Sequence, residues 1–142
     1  MRKNLSAIFF TLLLVSCATT NQPGIDQYSP VPKNRTYSNQ YSFAQDGNII
    51  LKRDSGFLGA ALDATIFINR EKVAQFSPGQ YYRVHLPKGV YFVSLESGKG
   101  VNLGTPFERT IKLEISEDDS KVTTIRIFPM PTQGMMMEEV YR

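Results

Sequence analysis

Cys17 is the only cysteine among 142 residues, and it stands directly behind an apolar run from Leu5 to Val15. A lone thiol is poorly placed in an oxidising compartment, where it pairs or reacts, so its position asks for a covalent modification. The other residues able to do chemistry are sparse. His85 is the only histidine, which rules out a His-rich metal site and leaves no Ser-His-Asp set beyond that one residue. No G-x-S-x-G elbow lies near it, and a strand position beside Tyr81 and Arg83 is the expected place for it. Glu117, Asp118 and Asp119 lack the spaced oxygen ligands and glycine of a calcium loop, so a solvated hairpin turn is expected. Gly98-Lys99-Gly100 through Gly104 has no G-K-[ST] ending and no helix after it, and reads as a connection. Met130 and Met135 to Met137 offer thioethers that suit Cu(I), but no histidine or cysteine accompanies them, and adaptable packing is the expected role.

The N-terminus explains the cysteine. Arg2 and Lys3 give a positive start, and the Leu5 to Val15 run, interrupted by Ser6 and Thr11, falls short of the about 20 apolar residues a bilayer span needs. It fits the apolar region of a secretory signal. Ser16 and Ala18 would also permit ordinary cleavage after Ala18. Leu14-Val15-Ser16-Cys17, however, resembles the lipobox of bacterial lipoproteins. The resemblance implies a diacylglyceryl group on the Cys17 thiol, cleavage before it and acylation of its new amino group. In such families Asp after the cysteine commonly retains the protein in the inner membrane, so Ala18 implies the outer membrane.

Without residues 1–16 the chain keeps 126 residues, enough for one domain and a tether. Loss of Arg2 and Lys3 leaves 14 basic against 13 acidic side chains, which gives no basic patch for nucleic acid. With no second cysteine, the folded part relies on its core, for which seven Tyr and nine Phe supply material. No cofactor is expected.

Residues 17–46 read as lipidated N-terminus and tether. From Ala18 to Ala44, about 27 residues, Pro23, Gly24, Pro30 and Pro32 stand among polar residues with no apolar period, a composition that favours an extended segment reaching several nanometres. Tyr28, Tyr37 and Tyr41 argue that its later part lies along the domain. Residues 47–142 read as the domain. Period-two runs separated by turn residues predict about seven antiparallel strands, hence an all-β sandwich ending in a Met-rich tail. Within it, Pro87-Lys88-Gly89 predicts a tight hairpin between the Tyr82 to Leu86 strand and the Val90 to Glu96 strand. A helix is allowed for in GFLGAALD, 56–63, and in the terminal QGMMMEEVYR.

Residues 64–97 resemble the centre of a family of small bacterial lipoproteins with an uncharacterised β domain and, more weakly, PEGA-type surface modules. Asn69, Gly79, Gln80, Pro87, Gly89 and Tyr91 carry the likeness, over roughly 47–140. It implies an immunoglobulin or prealbumin-like fold and no activity. If Ile66, Ile68, Tyr82, Val84 and Leu86 form the core, the opposite face carries Phe67, Tyr81, Arg83 and Tyr91. Packing under the tether is the expected fate of that face, and ligand binding the alternative. The function expected is therefore a non-enzymatic outer-membrane lipoprotein, anchored by lipid at Cys17, that adapts to another envelope protein. A glycan- or small-ligand-binding module is the alternative, and an accessory lipoprotein of a secretion or pilus system a further one.

Overall fold

Alternation of side chains decides which way each strand faces. In β3, Ala64–Ile68, Ile66 and Ile68 are fully buried while Phe67 between them turns outward. In β5, Gln80–Val84, Tyr82 and Val84 turn inward and Tyr81 and Arg83 outward. Each β-branched, Leu or aromatic side chain buried in this way contributes about 1.5–3 kcal/mol. The computed structural model describes residues 25–56, 60–97, 107–116, 121–130 and 134–140. They form two sheets. The five-stranded sheet runs β1-β5-β2-β8-β9, with β1 at Ser29–Pro30, β2 at Ile49–Arg53, β8 at Thr123–Met130 and β9 at Gly134–Val140. The four-stranded sheet runs β4-β3-β6-β7, with β4 at Glu71–Phe76, β6 at Gly89–Ser97 and β7 at Phe107–Ile115. Their inner faces meet in one core that includes Ile49, Leu51, Phe76, Leu95, Ile125 and Ile127.

The all-β sandwich expected from the sequence forms, with nine strands in place of about seven; β1 and β9 are the additions. The segment β9, GMMMEEV, has few strand-favouring residues, but pairing along β8 from Met130↔Gly134 to Thr124↔Val140 overrides that weak local preference. It places Met135 and Met137 in the core, the packing role expected of these thioethers. Two pairs are parallel, β1 with β5 and β2 with β8. Parallel neighbours need a long crossover, and the chain supplies it by building β3, β4, β6 and β7 in the other sheet between β2 and β8.

The tight hairpin expected at Pro87-Lys88-Gly89 does not form. β5 belongs to one sheet and β6 to the other, so these residues carry the chain across the sandwich. The reason lies at Leu86, whose side chain is buried and whose backbone is satisfied by a side chain rather than a strand. Asn48 Nδ2 donates to the Leu86 carbonyl at 2.8 Å, and the Leu86 N–H donates to Asn48 Oδ1 at 2.8 Å. With both backbone groups paired locally, the chain is free to leave the sheet. A two-residue hairpin does form at Asn69-Arg70, between β3 and β4, where both residues have positive φ, +49° and +69°. This matches the turn that follows the twist of the strands.

Residues 25–46, read from composition as tether, are laid along the sandwich. Ser29 and Pro30 pair with Gln80 and Tyr81 on the edge of one sheet. A few residues on, Thr36 bridges to Ala74 and the Tyr37 N–H donates to the Val73 carbonyl at 2.9 Å on the edge of the other. The segment thus sews the two sheets together along one side, with Val31 and Tyr41 joining the core. Proline is tolerated here because an edge position needs no ladder donor. The Tyr82 hydroxyl donates to the Tyr41 carbonyl at 3.2 Å, and the Ala44 N–H to the Arg83 carbonyl at 2.8 Å.

The fold has a pH signature. Burial raises the hydroxyl pKa of Tyr82 and of Tyr91 above the ordinary tyrosine value near 10, and burial together with the Asp54 charge does the same for Tyr28, against a smaller opposing effect of Arg126. The unfolded chain loses these protons first, so the stabilisation is complete below about pH 10 and is lost as pH rises through the raised native values. Urea midpoints measured by circular dichroism are expected to fall between pH 9 and pH 11. A midpoint constant over that interval would contradict it.

Candidate functional site

The four residues expected to share a face are divided among three surroundings. Tyr81 and Arg83 lie on the outer face of the five-stranded sheet, Phe67 on the outer face of the four-stranded sheet, and Tyr91 points inward at the end of β6, packed against the core. Tyr91 is corrected by its own strand: Val93 and Leu95 are fully buried, and Tyr91 shares their parity. Its hydroxyl donates to the Pro87 carbonyl at 2.9 Å. Tyr81 and Arg83 are occupied by the seam. Phe43 packs on Tyr81 with centroids 6.1 Å apart, and Arg83 Nε donates to the Gly47 carbonyl at 2.6 Å.

The rest of that outer face is likewise engaged with itself. Arg126 Nε donates to Asp54 Oδ2 at 2.8 Å and its Nη1 to Glu138 Oε1 at 2.9 Å, joining the end of β2 to β8 and β9. These hydrogen bonds raise its pKa, with the Asp54 bond the larger cause and burial opposing. Its guanidinium lies 4.8 Å from the Phe128 ring centroid, and Lys52 Nζ lies 5.4 Å from that of Tyr28.

The outer face of the four-stranded sheet is different. Phe92 is 51% exposed and Val90, two residues back on the same strand face, 46%. Phe92 pairs with Lys112 and Val90 with Glu114, so charged side chains flank the apolar pair on β7. Phe67 pairs with Ser94 and stands diagonal to Phe92. Beyond Phe67 the face sinks into a hollow of about 190 Å³ lined by Asp63, Thr65, Phe67, Lys72, Gln75 and Glu96. The seam buttresses it from outside. The Tyr37 hydroxyl donates to Gln75 Oε1 at 3.2 Å, Lys72 Nζ sits 3.8 Å from the centroid of the Tyr37 ring, and Arg35 Nη2 lies 3.8 Å from Asp63 Oδ1. Arg35 also donates to Ser77.

Sequence reasoning found Phe67 and missed Phe92, Val90 and the polar lining. Alternation in GVYFVSLES, anchored on Val93 and Leu95, carries the signal for Phe92. Asp63, Lys72 and Glu96 come from three separate segments and share no spacing. His85 is exposed. Cys17, the carboxylates 117–119 and the 98–104 loop lie outside the described residues. Among the described residues no group of three or more His, Cys, Asp or Glu could hold a metal ion, and no helix is long and apolar enough to cross a membrane. Comparison of the chain with protein-family models, with curated proteins and with solved structures finds no match.

Proposed function

We propose that this protein is a non-enzymatic lipoprotein of the bacterial outer membrane, held by lipid at Cys17, whose sandwich binds another envelope component through the outer face of its four-stranded sheet. The anchor is supported by the apolar run and Leu14-Val15-Ser16 ahead of Cys17. The single observation that carries the binding face is the exposure of Phe92 and Val90 side by side. Aromatic side chains left in water beside alternating charges supply the anchors that recognition surfaces use, whereas the opposite face spends its aromatics and charges on internal contacts.

The test places a photo-crosslinking amino acid at position 92 and, on the other face, at position 124, in growing cells. A discrete adduct from position 92 and none from 124 is the expected result, weakened about tenfold or more when Val90 is also changed to Ala, the size of a side-chain anchor. Equal adducts from both positions, or none from 92, would overturn it. A second reading, a small-ligand module, is favoured by the hollow beside Phe67.

A further inference from the structure

We propose that the hollow on the four-stranded sheet binds one ring of an uncharged carbohydrate chain. The proposal deepens the small-ligand reading and rests on it, but needs neither the lipid anchor nor a protein partner. Size comes first. The hollow, of about 190 Å³, is many times the about 10–15 Å³ that admits a single water and leaves room for a group the size of one sugar ring.

Charge narrows the class. Asp63, Glu96 and Lys72 all line the hollow, and Arg35 lies 3.8 Å from Asp63, so acidic and basic groups are both present at it. An anionic ligand meets two carboxylates and a cationic one meets Lys72; neither is drawn in by a field of one sign. The ligand that suits all of these groups is neutral and offers both donors and acceptors. Carboxylates accept from hydroxyls, an ammonium donates to them, and the Gln75 amide and Thr65 hydroxyl do both. Phe67 adds the remaining element, because the electron-rich face of an aromatic ring attracts the weakly positive C–H bonds of a pyranose.

The site is built before any ligand arrives. Tyr37 fixes the Gln75 amide through its oxygen and lies against Lys72, and Arg35 steadies Asp63, so three of the polar groups are oriented by the seam. Orientation in advance cuts the ordering cost that otherwise weakens binding of small polar ligands. The hollow is open to the sheet surface, and a chain leaving it along β6 passes over Ser94 to the exposed Phe92. A linear oligosaccharide therefore fits better than a free monosaccharide.

The experiment titrates the full chain, purified in detergent, with chitotetraose, cellotetraose and maltotetraose, following backbone amides by NMR. At least one of the three is expected to shift the amides of Thr65, Phe67, Gln75 and Glu96 with half-saturation near 1 mM in order of magnitude, while those of Ile50 and Thr124 on the other sheet stay still. Phe67→Ala is expected to weaken binding about tenfold or more, and Phe67→Tyr to keep it. Gln75→Ala, at the rim and off the core, gives a second loss that does not depend on Phe67. No saturable shift with any of the three up to about 20 mM, a range that excludes even weak affinity, or unchanged affinity in both alanine variants, would overturn the assignment. Failure here with position 92 still crosslinking removes the sugar alone; failure of the crosslink with the sugar shifts intact removes only the protein-binding face.

Discussion

Gly47→Ala is expected to destabilise the domain by about 3 kcal/mol or more, the upper range for overpacking a rigid site. A Cβ at this buried position would stand 2.2 Å from the Val84 carbonyl oxygen, 2.4 Å from its carbon and 3.0 Å from the His85 nitrogen. All three are backbone atoms, so no rotamer change relieves the clash. Val84 is paired with Ile49 and its side chain is fully buried, so moving its carbonyl disturbs both the β2–β5 ladder and the core. Gly47 cannot retreat either. Its N–H donates to the Ala44 carbonyl at 3.1 Å, and its own carbonyl accepts from Arg83 Nε at 2.6 Å. Against a total stability of about 5–15 kcal/mol, such a loss lowers the melting temperature by roughly 12 °C or more. Gly56→Ala is the control, since a Cβ there meets nothing within 4 Å and its cost is expected within about 0.5 kcal/mol. Equal melting temperatures for the two variants would show that the backbone at Gly47 does not approach β5 this closely.

Cys17→Ser is expected to abolish incorporation of labelled palmitate and to move the protein from the membrane fraction to the soluble one. Serine lacks the nucleophilic sulfur on which the proposed thioether forms, and the following amine acylation depends on that step. The size of the effect follows from chain count: a single acyl chain binds only marginally, at about 10⁴ M⁻¹, whereas two or more hold durably. The Leu5 to Val15 run is too short to replace them as a spanning helix. Melting temperatures of the variant and the wild type, measured side by side, separate loss of anchoring from loss of fold. A Cys17→Ser protein that stays with the membrane would overturn the anchor.

The strands with strict alternation were legible because period two survives whatever the neighbours are. Ile66 and Ile68, Tyr82 and Val84, and Leu113 and Ile115 all face inward as their spacing implies. What local pattern does not encode is which sheet a strand joins. Pro87-Lys88-Gly89 has hairpin chemistry, yet the pairing of Leu86 with Asn48, 38 residues earlier, turns it into a crossing. Tyr81 and Phe67 share a phase of alternation, but the chain changes sheets between β4 and β5, which sets them on opposite outer faces. Tyr91, expected on the outer face, turns inward by its parity with Val93 and Leu95. The hollow escaped for a related reason: its polar groups converge only after β3, β4 and β6 are laid side by side.

The seam also sets an altitude. With Tyr28 onward fastened to the sandwich, no more than eleven residues, 17 to 27, separate the proposed anchor from that attachment, in place of about 27. At about 3.3–3.6 Å per residue, their greatest span is roughly 36–40 Å, not far beyond the about 30 Å of the hydrocarbon layer that would hold the lipid. On the proposed anchor, the head is held within about 4 nm of the bilayer, and whatever it grips must come down to the membrane rather than be fetched from afar.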